Sequence, residues 1–123
     1  MIARPLISVV DDDESVRESL PDLLNEFGFD AQTFSSAEEF LASKSIGDTN
    51  CLLLDLAMPS MTGPDLQREL MRSERSIPII FITAHRDGTE RLRLIGLGAV
   101  ECLFKPFEPT DLLQALNTAL GVA

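Results

Sequence analysis

Leu6-Ile7-Ser8-Val9-Val10-Asp11-Asp12-Asp13 is apolar at almost every position and then turns abruptly acidic. A strand with one solvated face would alternate, whereas a strand covered by helices on both faces reads as a continuous apolar run. The same character recurs at Cys51 to Leu54, Ile79 to Ile82 and Val100 to Phe104, with a weaker, polar-mixed run at Asp30 to Phe34. Between these runs the spacing becomes helical. Val16, Leu20, Leu23, Leu24 and Phe27 share one face and predict a helix from Glu14 to Phe27, stopped by Gly28 as a left-handed cap. Pro21 lies inside it, removes a backbone donor and predicts a kink. Ser36-Ala37-Glu38-Glu39 and Asp87-Gly88-Thr89-Glu90 read as capping boxes, and Pro64 and Pro109 suit first helical positions. Further helices are thereby predicted from Ala37 to Ser43, Pro64 to Ser73, Thr89 to Leu97 and Pro109 to Leu120. Five βα units with no linker or repeat make one α/β domain, residues 1–123, built on an open parallel sheet with helices on both sides.

A chain of 123 residues encloses one sizeable core without disulfide or metal staples. A composition of 45% hydrophobic and 24% charged residues, with Gly and Pro scattered, excludes a disordered or collagenous chain. Acidic side chains outnumber basic ones 20 to 10, and a net charge of -10 repels phosphate backbones and anionic lipid headgroups. Neither nucleic acid nor a membrane is therefore expected as a direct partner. No run approaches the ~20 apolar residues of a membrane span, and the apolar stretch before Asp11 is too short for a signal peptide, so a cytoplasmic location is expected. Cys51 and Cys102 lie far apart with no CxxC spacing and a single His in the chain, which predicts two free thiols and no zinc site. Trp and Tyr are both absent, which argues against a flavin-binding relative of the same sheet.

Open parallel sheets bind ligands beyond the carboxyl ends of their strands. Those ends are Asp11 and Asp12, Asp55, Thr83, and Lys105-Pro106, so residues remote in sequence converge on one edge. Carboxylates crowded there raise one another's pKa until a divalent cation relieves them, and few carboxylates with room for water and a phosphate suit Mg²⁺. Asp55 then serves as an oxygen nucleophile that becomes an aspartyl phosphate, with Mg²⁺ and Lys105 neutralising phosphoryl oxygens and the Thr83 hydroxyl donating to one of them. A phosphatase using the same nucleophile would need a general-acid Asp two residues on, where this chain has Ala57.

Val9-Val10-Asp11-Asp12-Asp13, Leu53-Leu54-Asp55-Leu56-Ala57-Met58-Pro59, Ile82-Thr83-Ala84 and Phe104-Lys105-Pro106-Phe107 together resemble the signature set of response regulator receiver domains of two-component signal transduction, from Leu6 to Leu120. The neighbourhoods of Gly63, Ala84 to Asp87 and Gly98 to Val100 resemble the FixJ-type subgroup, whose members often carry a C-terminal DNA-binding output domain. The resemblance implies a flavodoxin-like, CheY-like fold: a doubly wound five-stranded parallel sheet in the order 2-1-3-4-5 with five helices. It implies Asp55 as phosphoacceptor, and Mg²⁺ held by Asp12, Asp55 and the Ala57 backbone carbonyl, with Asp11 acting through metal-bound water. Thr83 and Lys105 become the switch and phosphate-binding residues, and the Lys105–Pro106 bond is expected cis. A sensor histidine kinase or phosphotransfer protein is the implied donor. An output domain or protein, and a phosphorylation-dependent homodimer, are the implied responses through the surface of the fourth helix, fifth strand and fifth helix. Met71, Leu94 and Phe104 are candidates for a dimer contact. Ala57 and His85 occupy positions that tune hydrolysis in the family, and His85 is expected to influence acyl-phosphate lifetime. One departure stands out. Cys102 replaces the usual aromatic residue three before the lysine, and a thiol cannot swing a ring between buried and exposed states. Phe104 is then a candidate participant in the switch, and a pseudo-receiver that works without phosphorylation is the alternative reading.

Overall fold

The apolar runs form five parallel strands, β1 (Leu6–Val10), β2 (Asp30–Phe34), β3 (Cys51–Asp55), β4 (Ile79–Thr83) and β5 (Glu101–Phe104), in the spatial order β2-β1-β3-β4-β5. The computed structural model describes residues 4–121. Every residue of β3 and β4 is buried, as continuous hydrophobicity requires, whereas β2 alternates because it forms one border of the sheet. Successive side chains point to opposite faces, so the strands feed two cores. Leu52, Leu54 and Phe81 pack with Phe40, Leu66 and Leu94 on one face, while Ile7, Val9, Leu53 and Ile80 pack with Leu20, Leu24, Leu112 and Leu116 on the other.

Those covering residues belong to α1 (Glu14–Glu26), α2 (Ala37–Leu41), α3 (Gly63–Arg72), α4 (Gly88–Gly96) and α5 (Pro109–Leu120). The fold and strand order are those expected, with helix boundaries shifted by one or two residues. α1 continues past Pro21 to Glu26. Gly28, at φ +97°, ends it: its N–H donates to the Asn25 carbonyl and the Phe29 N–H to the Leu24 carbonyl, the paired bonds of a left-handed cap. α2 stops at Leu41 and a 3₁₀ turn, Lys44–Asp48, takes over, because the Ser43 hydroxyl accepts from the Ser45 N–H and starts the turn there.

The two predicted capping boxes form only by half. Ser36 accepts from the Glu39 N–H, but the Glu39 carboxylate accepts a hydrogen bond from the Ser35 hydroxyl instead of reaching back. Asp87 accepts from the Thr89 and Glu90 N–H groups, while the Glu90 carboxylate is drawn to Arg93. The reciprocal box belongs to Thr62 and Asp65 at the start of α3. The proposed dimer set also separates: Leu94 is fully buried in the core and only Met71 is strongly exposed.

β5 is the other border of the sheet. There the Cys102 N–H donates to the Glu101 carboxylate at 2.9 Å, and the same carboxylate pairs with Arg91 of α4 at 2.7 Å.

Candidate functional site: an acidic notch at the carboxyl edge

β1 delivers Asp11 to the carboxyl edge of the sheet with no exposed surface. A carboxylate so buried needs partners. Oδ1 accepts from the Asp13 N–H at 2.9 Å, Oδ2 from the Lys105 ammonium at 2.8 Å, and the Asp11 N–H donates to the Phe34 carbonyl at 3.1 Å. Asp12 is exposed, and Asp13 caps α1 through the Ser15 N–H. Asp55 ends β3 with 6% exposure, its Oδ1 3.9 Å from Lys105 Nζ. Oxygens of Asp11, Asp12 and Asp55 all lie within 4.8 Å of one another.

This crowding has an electrostatic signature. Burial, and then the neighbouring Asp11 charge, push the Asp55 carboxyl up to about 7 against the opposing pull of Lys105. Three hard oxygen donors, two of them buried and short of positive charge, fit a small divalent cation.

Thr83 ends β4, 2% exposed, on the strand beside Asp55. Its hydroxyl oxygen accepts from the His85 N–H at 3.1 Å, which leaves the hydroxyl proton free to donate, and its carbonyl accepts from the Lys105 N–H at 2.7 Å. The Lys105–Pro106 bond is cis, as expected. Asp11, Asp12, Asp55 and Lys105 thus meet directly, and Thr83 adjoins them. Ala57 and His85 lie exposed in the loops after β3 and β4. Cys102 is buried away from the notch, its thiol pushed up to about 11 by burial, and Cys51 is raised to about 12 for the same reason; both thiols are free. Phe104 pairs in register with Thr83, and the Arg86 guanidinium lies over its ring at 5.8 Å.

Two residues of the site have roles that the sequence did not reveal. Gly63, at the start of α3, leaves no room for a side chain: a Cβ would sit 2.6 Å from the Asp55 carbonyl oxygen and 2.9 Å from the Phe81 ring. Arg17 of α1 donates from Nη1 to the Asp11 carbonyl at 2.9 Å. A Thr-x-x-Asp pattern before a helix was readable at Thr62; a guanidinium on a main-chain carbonyl leaves no sequence signal.

A doubly wound sheet in this order, with acids and a lysine gathered at its carboxyl edge, defines the class of regulatory phosphoacceptor domains. The family described as response regulator receiver domain matches residues 7–117, and this chain belongs to it. Response regulator protein TmoT of Ectopseudomonas mendocina is 42% identical over 118 residues, covering 96% of this chain and 54% of that protein. The solved structure titled response regulator StyR superposes with a TM-score of 0.87 at 45% identity, covering 97% of this chain and 60% of that one. The crystal structure of FixJ-N gives 0.85 at 37% identity, with 98% and 96% covered. The chain spans about half the length of the curated relatives it matches. It is a receiver domain of two-component signal transduction, a class that binds Mg²⁺ at acidic residues and works with kinase partners and output domains. Among the described residues no helix is long and apolar enough to cross a membrane.

Proposed function

We propose that this chain, residues 1–123 acting as one receiver domain, accepts a phosphoryl group on Asp55 from the phosphohistidine of a sensor histidine kinase or phosphotransfer protein. An Asp55 carboxylate oxygen forms the new bond to phosphorus as the phosphorus–nitrogen bond breaks, and the electron pair remains on the donor imidazole. Asp12, Asp55 and the Ala57 carbonyl would hold Mg²⁺, with Asp11 supporting the site through water, and the bound cation would supply positive charge for the transferring oxygens. Lys105, already shared between Asp11 and Asp55, supplies a second positive charge. The free Thr83 hydroxyl proton donates to a phosphoryl oxygen, and His85, whose main-chain N–H donates to the Thr83 hydroxyl oxygen, influences the lifetime of the acyl phosphate. The phosphorylated state biases the α4–β5–α5 surface toward an output partner or a second copy. A cytoplasmic setting, with no nucleic acid bound by this domain itself, goes with that role and with the net charge of -10.

The convergence of Asp11, Asp12, Asp55 and Lys105 from three strand ends carries this reading. Incubation with acetyl phosphate and Mg²⁺ is expected to add one phosphoryl group by mass spectrometry, and to add none with chelator present or in Asp55→Asn. A native protein left unmodified refutes it. A second reading, partner binding independent of phosphorylation, draws on Cys102 in place of the aromatic; it requires unmodified protein and beryllofluoride-treated protein to bind the output partner equally.

A further inference from the structure

Arg17 follows four consecutive acids, Asp11 to Glu14, in a chain of net charge -10. Among the described residues its guanidinium pairs with none of these carboxylates; Nη1 donates to the carbonyl oxygen of Asp11 at 2.9 Å. Asp11 is thereby held at every polar group it has: N–H by Phe34, carbonyl by Arg17, Oδ1 by the Asp13 N–H and Oδ2 by Lys105. The next residue, Asp12, projects into solvent within reach of Asp55. The peptide that joins Asp11 to Asp12 carries the very carbonyl that Arg17 grips, so its orientation decides where the Asp12 side chain points.

We propose that Arg17 is a positioning residue of the Mg²⁺ site: by gripping the Asp11 carbonyl it fixes the Asp11–Asp12 peptide and presents the Asp12 carboxylate to the cation. The inference rests on the reading of Asp11, Asp12 and Asp55 as a Mg²⁺ site. It makes a prediction opposite in sign to simple electrostatics. A nearby positive charge repels Mg²⁺, so if Arg17 acts only as a charge, its removal tightens binding. If it acts by positioning, its removal loosens binding despite that relief.

Mg²⁺ affinity is to be measured by titration, followed through amide chemical shifts and through the rise in melting temperature, on native protein, Arg17→Met, Arg17→Gln and Arg17→Lys. The expected result is an affinity weakened about tenfold in Arg17→Met, the size of one lost charge-assisted hydrogen bond. Arg17→Lys, which keeps a charged donor, should recover part of that loss, and each variant is titrated at a temperature where it is fully folded without divalent cation, because the same bond also contributes to metal-free stability. Equal or tighter Mg²⁺ binding by Arg17→Met overturns the inference. Should that variant fail to fold, the same outcomes in Arg17→Gln decide it. A native protein with no Mg²⁺ response defeats the underlying reading of the site, whereas a native response that the Arg17 variants share defeats only the role given to Arg17.

Discussion

The two sides of the notch are built to different tolerances. On the β1 and β3 side, Asp11 is held through all its polar groups, and Gly63 packs against the Asp55 carbonyl with no room for a methyl group. On the α4 and β5 side, Arg86 lies over Phe104 and Arg91 reaches Glu101, both from partly or wholly exposed positions. The first arrangement fixes the atoms that, on the proposed function, would meet a cation and a phosphoryl group. The second is held by exposed contacts that break and re-form cheaply, which suits the switching surface proposed above. On the proposed function, the domain would keep its chemistry on the tightly held strand ends and its response on the loosely held border.

The sharpest way to break that contrast is Gly63→Ala. Its methyl group would force backbone apart at Asp55, and a loss of about 3 kcal/mol in urea unfolding is expected, with phosphoryl acceptance abolished. A tolerated alanine with normal acceptance would mean that the β3 side is pliable. Asp55→Asn should act in the opposite direction. It removes a buried, crowded negative charge and is expected to stabilise the metal-free protein by about 2 kcal/mol at neutral pH, read as a higher melting temperature. An unchanged or lower melting temperature would show that Lys105 already balances the notch.

A smaller effect belongs to the capping box that anchors α3. Thr62→Ala is expected to cost about 1 kcal/mol. Hydrogen bonds from Thr62 hold the Asp65 carboxyl below its ordinary range, so the folded protein releases that proton more readily than the unfolded chain. The resulting stabilisation is present at neutral pH and is lost on acidification, once the pH falls below about 4 and through the folded value. Acid titration of native protein and Asp65→Asn should therefore show two stability curves that converge at low pH; curves that stay parallel would remove the carboxylate from the explanation. The smallest effect is expected on the loosely held border. A double-mutant cycle of Arg86→Ala and Phe104→Leu should give a coupling of about 0.5 kcal/mol in stability, with α4 amides exchanging faster in each variant. Coupling several times larger would place the rigid region on both sides of the notch.

Four of the strand runs, and with them the strand-end residues Asp11, Asp12, Asp55, Thr83 and Lys105, were legible in the sequence because burial on both faces writes a nearly unbroken apolar run that ends where the side chains turn outward; the spatial order of the strands came from the family resemblance. What stayed hidden depends on competition between partners. Glu39 and Glu90 are correctly spaced for capping boxes, but Ser35 and Arg93 offer them nearer bonds. Leu94 was grouped with Met71 and Phe104 as a candidate dimer surface, but tertiary packing buries it and leaves Leu92 of the same helix outside. Glu74 adopts φ +58° at the end of α3, a conformation ordinarily taken by glycine, and its identity gives no hint of it.

The bond from the Cys102 amide to the Glu101 carboxylate has a consequence for crowded conditions. A sheet border invites strand-by-strand growth into fibrils through its free amide hydrogens. At this margin the chain occupies one of its own with a neighbouring acid and parks an arginine against the same acid, so an incoming strand finds that donor taken and a charge in its way.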